Sequence, residues 1–176
     1  DPKTFEIMRF SQAISLSEST LKSYLQDLKD AENIGRNLMT EKYARMMAST
    51  SPWEYVEIMD HLPSLNPEIP DIIENILKYV LEWEEELVNQ YPHVCGRGRP
   101  VYSLEDSEFV TSLETYLRGE LSTYSLRTLK LYLEDVIRYA SENRNMSKII
   151  LEETMKRYGF QSLEEANEKM RYQDRG

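Results

Sequence analysis

Apolar residues recur along this chain at three- and four-residue spacing, and nowhere in the alternate-residue pattern of a half-buried strand, so the fold predicted is all-α. Phe5, Ile7, Met8, Phe10 and Ala13 suit a short helix over residues 4–13. Leu21, Tyr24, Leu25, Leu28 and Ala31 give the stretch 17–34 one buried stripe, and Gly35 stands where a helix closes. Thr40 is expected to cap a helix over 41–49, with Tyr43, Met46 and Met47 inward and Arg45 pointing elsewhere. Ser51-Pro52-Trp53-Glu54 reads as a capping box opening a helix to about His61. Pro63, Pro67 and Pro70 forbid regular structure and mark a connector.

The longest apolar stripe follows: Ile72, Ile73, Ile76, Leu77, Val80, Trp83 and Leu87 predict a central helix ending at Tyr91, with Pro92 just beyond. A Gly/Arg-rich loop occupies 93–107, and Thr111 with Glu114 is expected to open a helix reaching Leu121. Ser125 begins the next, with Leu126, Leu129, Tyr132, Leu133, Val136, Ile137 and Ala140 inward. A helix from Ser147 to Tyr158 closes at Gly159, and Ser162 caps a last one toward Met170. The architecture expected is one compact domain of seven or eight helices, residues 1–172, with 173–176 as a frayed tail.

Displaced by 108 residues, the stretch 17–47 falls on 125–155 with ten identities in 31 positions. Among them are Ser17/Ser125, Asp27/Asp135, and the pairs Arg36-Asn37 and Arg144-Asn145 that follow each helix. Amphipathic background does not explain a shared Arg-Asn after a helix, so the chain reads as a degenerate tandem repeat, roughly 4–50 and 112–160. Upstream, Thr4-Phe5-Glu6 falls opposite Ser112-Leu113-Glu114, and a one-residue slip would bring Arg9 to Arg118. The first copy should then own a counterpart of the long helix and Gly/Arg loop, lying ahead of Asp1. The opening DPKTFEIM, without an initiator methionine, fits the expectation that an upstream segment has been cut away.

Composition narrows the function classes. A net charge of −10 opposes attraction to nucleic-acid phosphates or anionic lipid, so neither nucleic acid nor membrane is an expected partner. No apolar run reaches the length of a membrane span. Cys95 is the single cysteine, which excludes an internal disulfide and favours a reducing, cytoplasmic setting.

Tyr43 to Met47 (YARMM), Gly96 to Pro100 (GRGRP) and Glu114 to Ser125 (ETYLRGELSTYS) resemble a family of bacterial proteins catalogued only as a domain of unknown function. The similarity covers nearly the whole chain. It implies no activity and therefore transfers no catalytic residue.

The chemistry must come from the residues. Arg97 and Arg99 lie among glycines that permit close approach of an anion, although both could equally pair with carboxylates of this acidic chain. On the helix that follows, Glu114 and Arg118 are four apart, Tyr116 and Glu120 form a neighbouring pair, and Gly119 would let another backbone come near. The candidate site is therefore Arg97, Arg99, Tyr116 and Arg118 as ligand-binding residues, with Glu114 or Glu120 as general acid or base. The occupant would be a small anionic ligand held near an approximate two-fold axis. The alternative is a non-catalytic structural or protein-interaction module, or a homo-oligomer.

Weaker signals point away from other chemistry. His61 near Glu57 and Asp60 falls short of a di-iron pattern, so no metal is expected. A Cys95–His93 nucleophile lacks an orienting acid, and Glu84-Glu85-Glu86 reads as a solvated face. No Gly-x-x-x-x-Gly-Lys-Ser/Thr pattern is present, so a nucleotide phosphate loop is not indicated, and the residues name no cofactor either way.

Overall fold

The computed structural model describes residues 1–173 and is all-helical, without a named strand among them. Its helices are α1 (Pro2–Ala13), α2 (Glu18–Asn33), α3 (Leu38–Thr50), α4 (Pro52–Ile58), α5 (Ile69–Gln90), α6 (Pro92–Cys95), α7 (Leu113–Leu121), α8 (Leu126–Ser141), α9 (Met146–Arg157) and α10 (Leu163–Gln173). Nine of these ten have seven or more residues, slightly above the expected count. The tenth, α6, is a short turn that Pro92 opens at the start of the Gly/Arg loop. Gln173 is the last residue of α10; the rest of the predicted tail, 174–176, lies outside the described residues.

Several helix starts differ from expectation by a cap. Asn37, not Thr40, receives the N–H of Thr40 and begins α3 three residues early. Asn145 does the same for α9, and Ser112, not Thr111, caps α7 through the N–H of Thr115. Asn and Ser oxygens reach the orphan N–H groups of a first turn as readily as Thr, so composition alone did not choose among neighbours. Ser51 makes no capping bond, leaving Pro52 to start α4 by its fixed φ. Ser17, Ser125 and Ser162 cap α2, α8 and α10 as expected.

α5 runs 22 residues and buries Ile69, Ile73, Ile76, Leu77, Val80, Leu81 and Trp83 against Leu121, Leu129, Val136, Tyr139 and Met146 of α7, α8 and α9. Its lower end, with Leu87 and Tyr91, continues into a second cluster with Val94, Met155, Leu163 and Ala166. The first three helices lie beside this body. α2 packs on α8, α1 on α9 and α3 on α7.

The 108-residue offset recurs in local geometry. α2 and α8 both span sixteen residues, with both ends in register. Gly35 and Asn143, at equivalent positions, take φ of 71° and 53°. Arg36 N donates to Ala31 O at 2.8 Å, and Arg144 N donates to Tyr139 O at 2.9 Å. α1 and α7 end in register as well, which places Arg9 opposite Leu117; the slip that would match it to Arg118 does not occur.

α2 and α8 run antiparallel, and each caps the other. Asp135 Oδ2 accepts the N–H of Ser17 at 2.9 Å, and Asp27 Oδ2 accepts the N–H of Ser125 at 2.9 Å. Asp135 is 1% exposed and also accepts from Thr20 Oγ1 at 2.7 Å. Asp135→Ala should therefore cost about 2–3 kcal/mol by stranding these donors, against about 1 kcal/mol for Asp27→Ala, whose site water reaches. Urea denaturation of the two variants checks the difference.

Candidate functional site

α3 and α7 cross closely because Gly119 faces α3. A Cβ there would stand 2.8 Å from Met46 Cγ and 3.0 Å from Lys42 O. This approach brings Lys42, only 2% exposed, onto Glu120, whose Oε2 lies 2.7 Å from its Nζ. From α1, Arg9 reaches the other oxygen of Glu120, also at 2.7 Å. Burial opposes ionisation of Glu120, but the hydrogen bonds and charges of Arg9 and Lys42 outweigh it and hold the carboxyl below its usual range. The trio carries one net positive charge.

Around it lies a groove of about 510 Å³, walled by Phe5, Leu21, Tyr24, Leu28, Leu38 and Met39. Tyr24 packs against Tyr124 in a tilted pair with ring centroids 4.7 Å apart, and burial followed by the charge of Glu120 raises the phenol of each. The Lys42 ammonium also sits 3.8 Å from the Tyr116 ring centroid, and Arg99 lies 4.7 Å from the same ring.

The sequence-predicted residues divide among three places. Glu120 forms the floor of the groove, and Tyr116 with Arg99 continues from Lys42 toward the Gly/Arg loop. Glu114 and Arg118 face α5, where Arg118 Nε donates to Glu74 at 2.8 Å and its Nη2 to Glu114 at 2.9 Å. Glu114 also accepts the N–H of Ser103 at 2.7 Å, and these bonds overcome its partial burial to hold it below the usual carboxylate range. Arg97 turns to α10, donating to Met170 O and Gln173 Oε1, each at 3.2 Å. Arg99 Nη1 donates to Thr111 O at 3.2 Å. Arg97 and Arg99 thus fasten the loop to α10 and Thr111, while Arg118 fastens α7 to α5.

Both proposed acid/base carboxylates are thus held ionised, an arrangement suited to structure or binding more than to carrying a proton at neutral pH. Cys95 is pushed up to about 11 by burial and by Glu84, the reverse of what an activated thiolate needs. Among the described residues no group of three or more His, Cys, Asp and Glu side chains is placed to hold a metal. No helix among them is long and apolar enough to cross a membrane.

Sequence reasoning missed Arg9, Lys42 and Asp106. Asp106 accepts the N–H of Ser112 at 2.6 Å and hydroxyl bonds from Ser49 and Thr115, tying the loop to α3 and α7. Nothing local marks Arg9 and Lys42, because both act on Glu120, which is distant in sequence, whereas Asp106 joins near neighbours to the distant Ser49. The one usable signal was the 108-residue offset, at which Arg9 and Lys42 fall on Leu117 and Ile150.

The family model described as a protein of unknown function (DUF4125) matches residues 1–168. The chain belongs to the DUF4125 family. No curated protein and no solved structure matches it. Membership in DUF4125 brings no activity to the groove, so its role must be argued from its own residues.

Proposed function

We propose that the domain is a non-catalytic interaction module whose groove between α1, α2 and α3 receives an amphipathic helix. One observation carries this. Leu21, Leu28 and Leu38 line the open groove, whereas their counterparts Leu129, Val136 and Met146, at the 108-residue offset, lie buried in the core beneath α5. Leu28 is 40% exposed and Val136 is 0% exposed. The two halves present closely similar apolar faces, and a helix covers one of them. The same comparison supports descent of the halves from one duplicated unit.

A second reading has its own support. Two cations on one carboxylate leave a net positive floor under apolar walls, which suits a small anion with a hydrocarbon body. Arg9 and Lys42 would then take the role first expected of Arg97, Arg99 and Arg118.

One titration separates the readings. A fluorescein-labelled peptide of residues 69–90, carrying α5's own stripe, should bind saturably by anisotropy. Leu28→Asp should weaken it at least tenfold with the helical circular dichroism unchanged. Absence of peptide binding, together with a melting temperature raised by octanoate in the wild type and not in Arg9→Met, would replace this function with the second. The triple change of Arg97, Arg99 and Arg118 to Ala should leave peptide binding intact.

A further inference from the structure

We infer that the edge formed by α4 and the loop 102–110 is a second docking surface, whose partner is a protein helix with an apolar stripe flanked by lysine and arginine. This edge shares no residue with the groove lining and does not depend on what fills the groove.

α4 is apolar on two sides. Tyr55 and Ile58 are half-buried, as suits a helix packed on α3. Trp53, Val56 and Met59, at three-residue spacing, are exposed, and Trp53 is 89% exposed. A helix that is apolar all round is one whose neighbours cover every side, and here one side stays in water. The loop adds Leu104 and Phe109, 97% and 89% exposed. Hydrogen bonds frame it. Asp106 accepts from Ser49 of α3 and from Ser112 and Thr115 at the start of α7. Ser107 and Val110 exchange both backbone bonds, and Tyr102 Oη donates to Glu85 at 2.6 Å. The Ser49 bond sets the loop beside the end of α3, where α4 begins. A partner that buries side chains already held by such a frame loses little conformational entropy, and aromatic anchors carry a large share of binding energy.

Charge sets the partner's sign. No lysine or arginine occurs from Met46 to Leu77 or from Pro100 to Leu117. Glu54, Glu57, Asp60, Glu105 and Glu108 stand exposed among the apolar side chains, and among the described residues none of them is in an ion pair. Exposed carboxylates elsewhere do find cations, as Glu68 finds Lys130 and Glu74 finds Arg118. The nearest cations along the chain, Arg45 and Arg99, donate to the carbonyls of Pro63 and Thr111. An acidic rim around apolar anchors repels nucleic-acid phosphate and anionic lipid and attracts a basic face. The ridge of Trp53, Val56 and Met59 is of the kind that a second helix packs against.

The probe is an amphipathic leucine/lysine helical peptide without tryptophan, labelled with fluorescein for anisotropy and unlabelled for tryptophan emission. Its leucine/glutamate counterpart is the control. The lysine peptide should bind, and emission should shift to the blue in the wild type but not in Trp53→Phe, because Trp83 is already buried. Trp53→Ser combined with Phe109→Ser, both at exposed positions, should weaken binding at least tenfold with the circular dichroism unchanged. Leu28→Asp in the groove should leave it intact, and added salt should weaken it. No binding, equal binding of the two peptides, or binding that the double change leaves intact overturns the inference. Recovery of the protein with phosphatidylcholine vesicles, lost in the double variant and without peptide binding, would give the edge to a membrane. A blue shift that grows with protein concentration alone would give it to a second copy. Either of these outcomes also overturns the inference.

Discussion

Glu120→Ala should lower stability by about 3–5 kcal/mol, because it strands two cations that share one buried carboxylate. Lys42 is nearly inaccessible to water, and Arg9 is half-buried against the same oxygen pair. For a chain of this size the loss corresponds to a fall of roughly 6–20 °C in melting temperature, readable by scanning calorimetry. Replacing the trio with Arg9→Leu, Lys42→Ile and Glu120→Gln, the residues of the opposite half, should recover much of that loss, since apolar packing can substitute for a buried charge network. A pH dependence follows. The folded carboxyl titrates below its unfolded value, so its contribution is present above about pH 4.3 and disappears as pH falls through the lower folded value. Glu120→Gln should therefore show a shallower loss of stability below that pH than the wild type. Parallel acid titrations with equal slopes would refute the assignment.

Gly119→Val should cost about 2–3 kcal/mol. In an exposed helix, replacing glycine stabilises by about 1 kcal/mol. Here the sign reverses, because the added carbon meets Lys42 O at 3.0 Å, a backbone atom that can retreat only if α3 moves. That movement would also withdraw Lys42 from Glu120. A lower urea midpoint with an unchanged slope is the expected signature, and a raised midpoint would show that the contact is not tight.

Much of the architecture was readable from residue order. The stripe Ile72, Ile73, Ile76, Leu77, Val80, Trp83 and Leu87 identified α5 as the core helix, and all but the partly buried Ile72 are buried. Gly119 was legible as a place of close approach, although its partner was not. α2 shows where periodicity stops informing. Its predicted inward stripe includes Leu25 and Leu28, which are 50% and 40% exposed, while Thr20 and Ser23 are buried against α8. Periodicity reports which face is apolar; it does not report whether anything in the described chain covers it.

The candidate site divides in the same way. Glu120 was read as a general acid or base, but its environment depends on Arg9, 111 residues away in sequence. Arg97, Arg99 and Arg118 looked like one cluster because they are near in sequence, yet they fasten to α10, Thr111 and α5 respectively.

By itself the sequence determined the helices, their approximate ends and the 108-residue echo, because spacing, capping residues and glycine act over a few positions. Only the tertiary structure decided that α1 and α3 each cross to a helix of the opposite half, that Arg9 and Lys42 converge on Glu120, and that one of two similar apolar faces stands open. Those outcomes depend on which distant surfaces meet, and a local pattern carries no record of that.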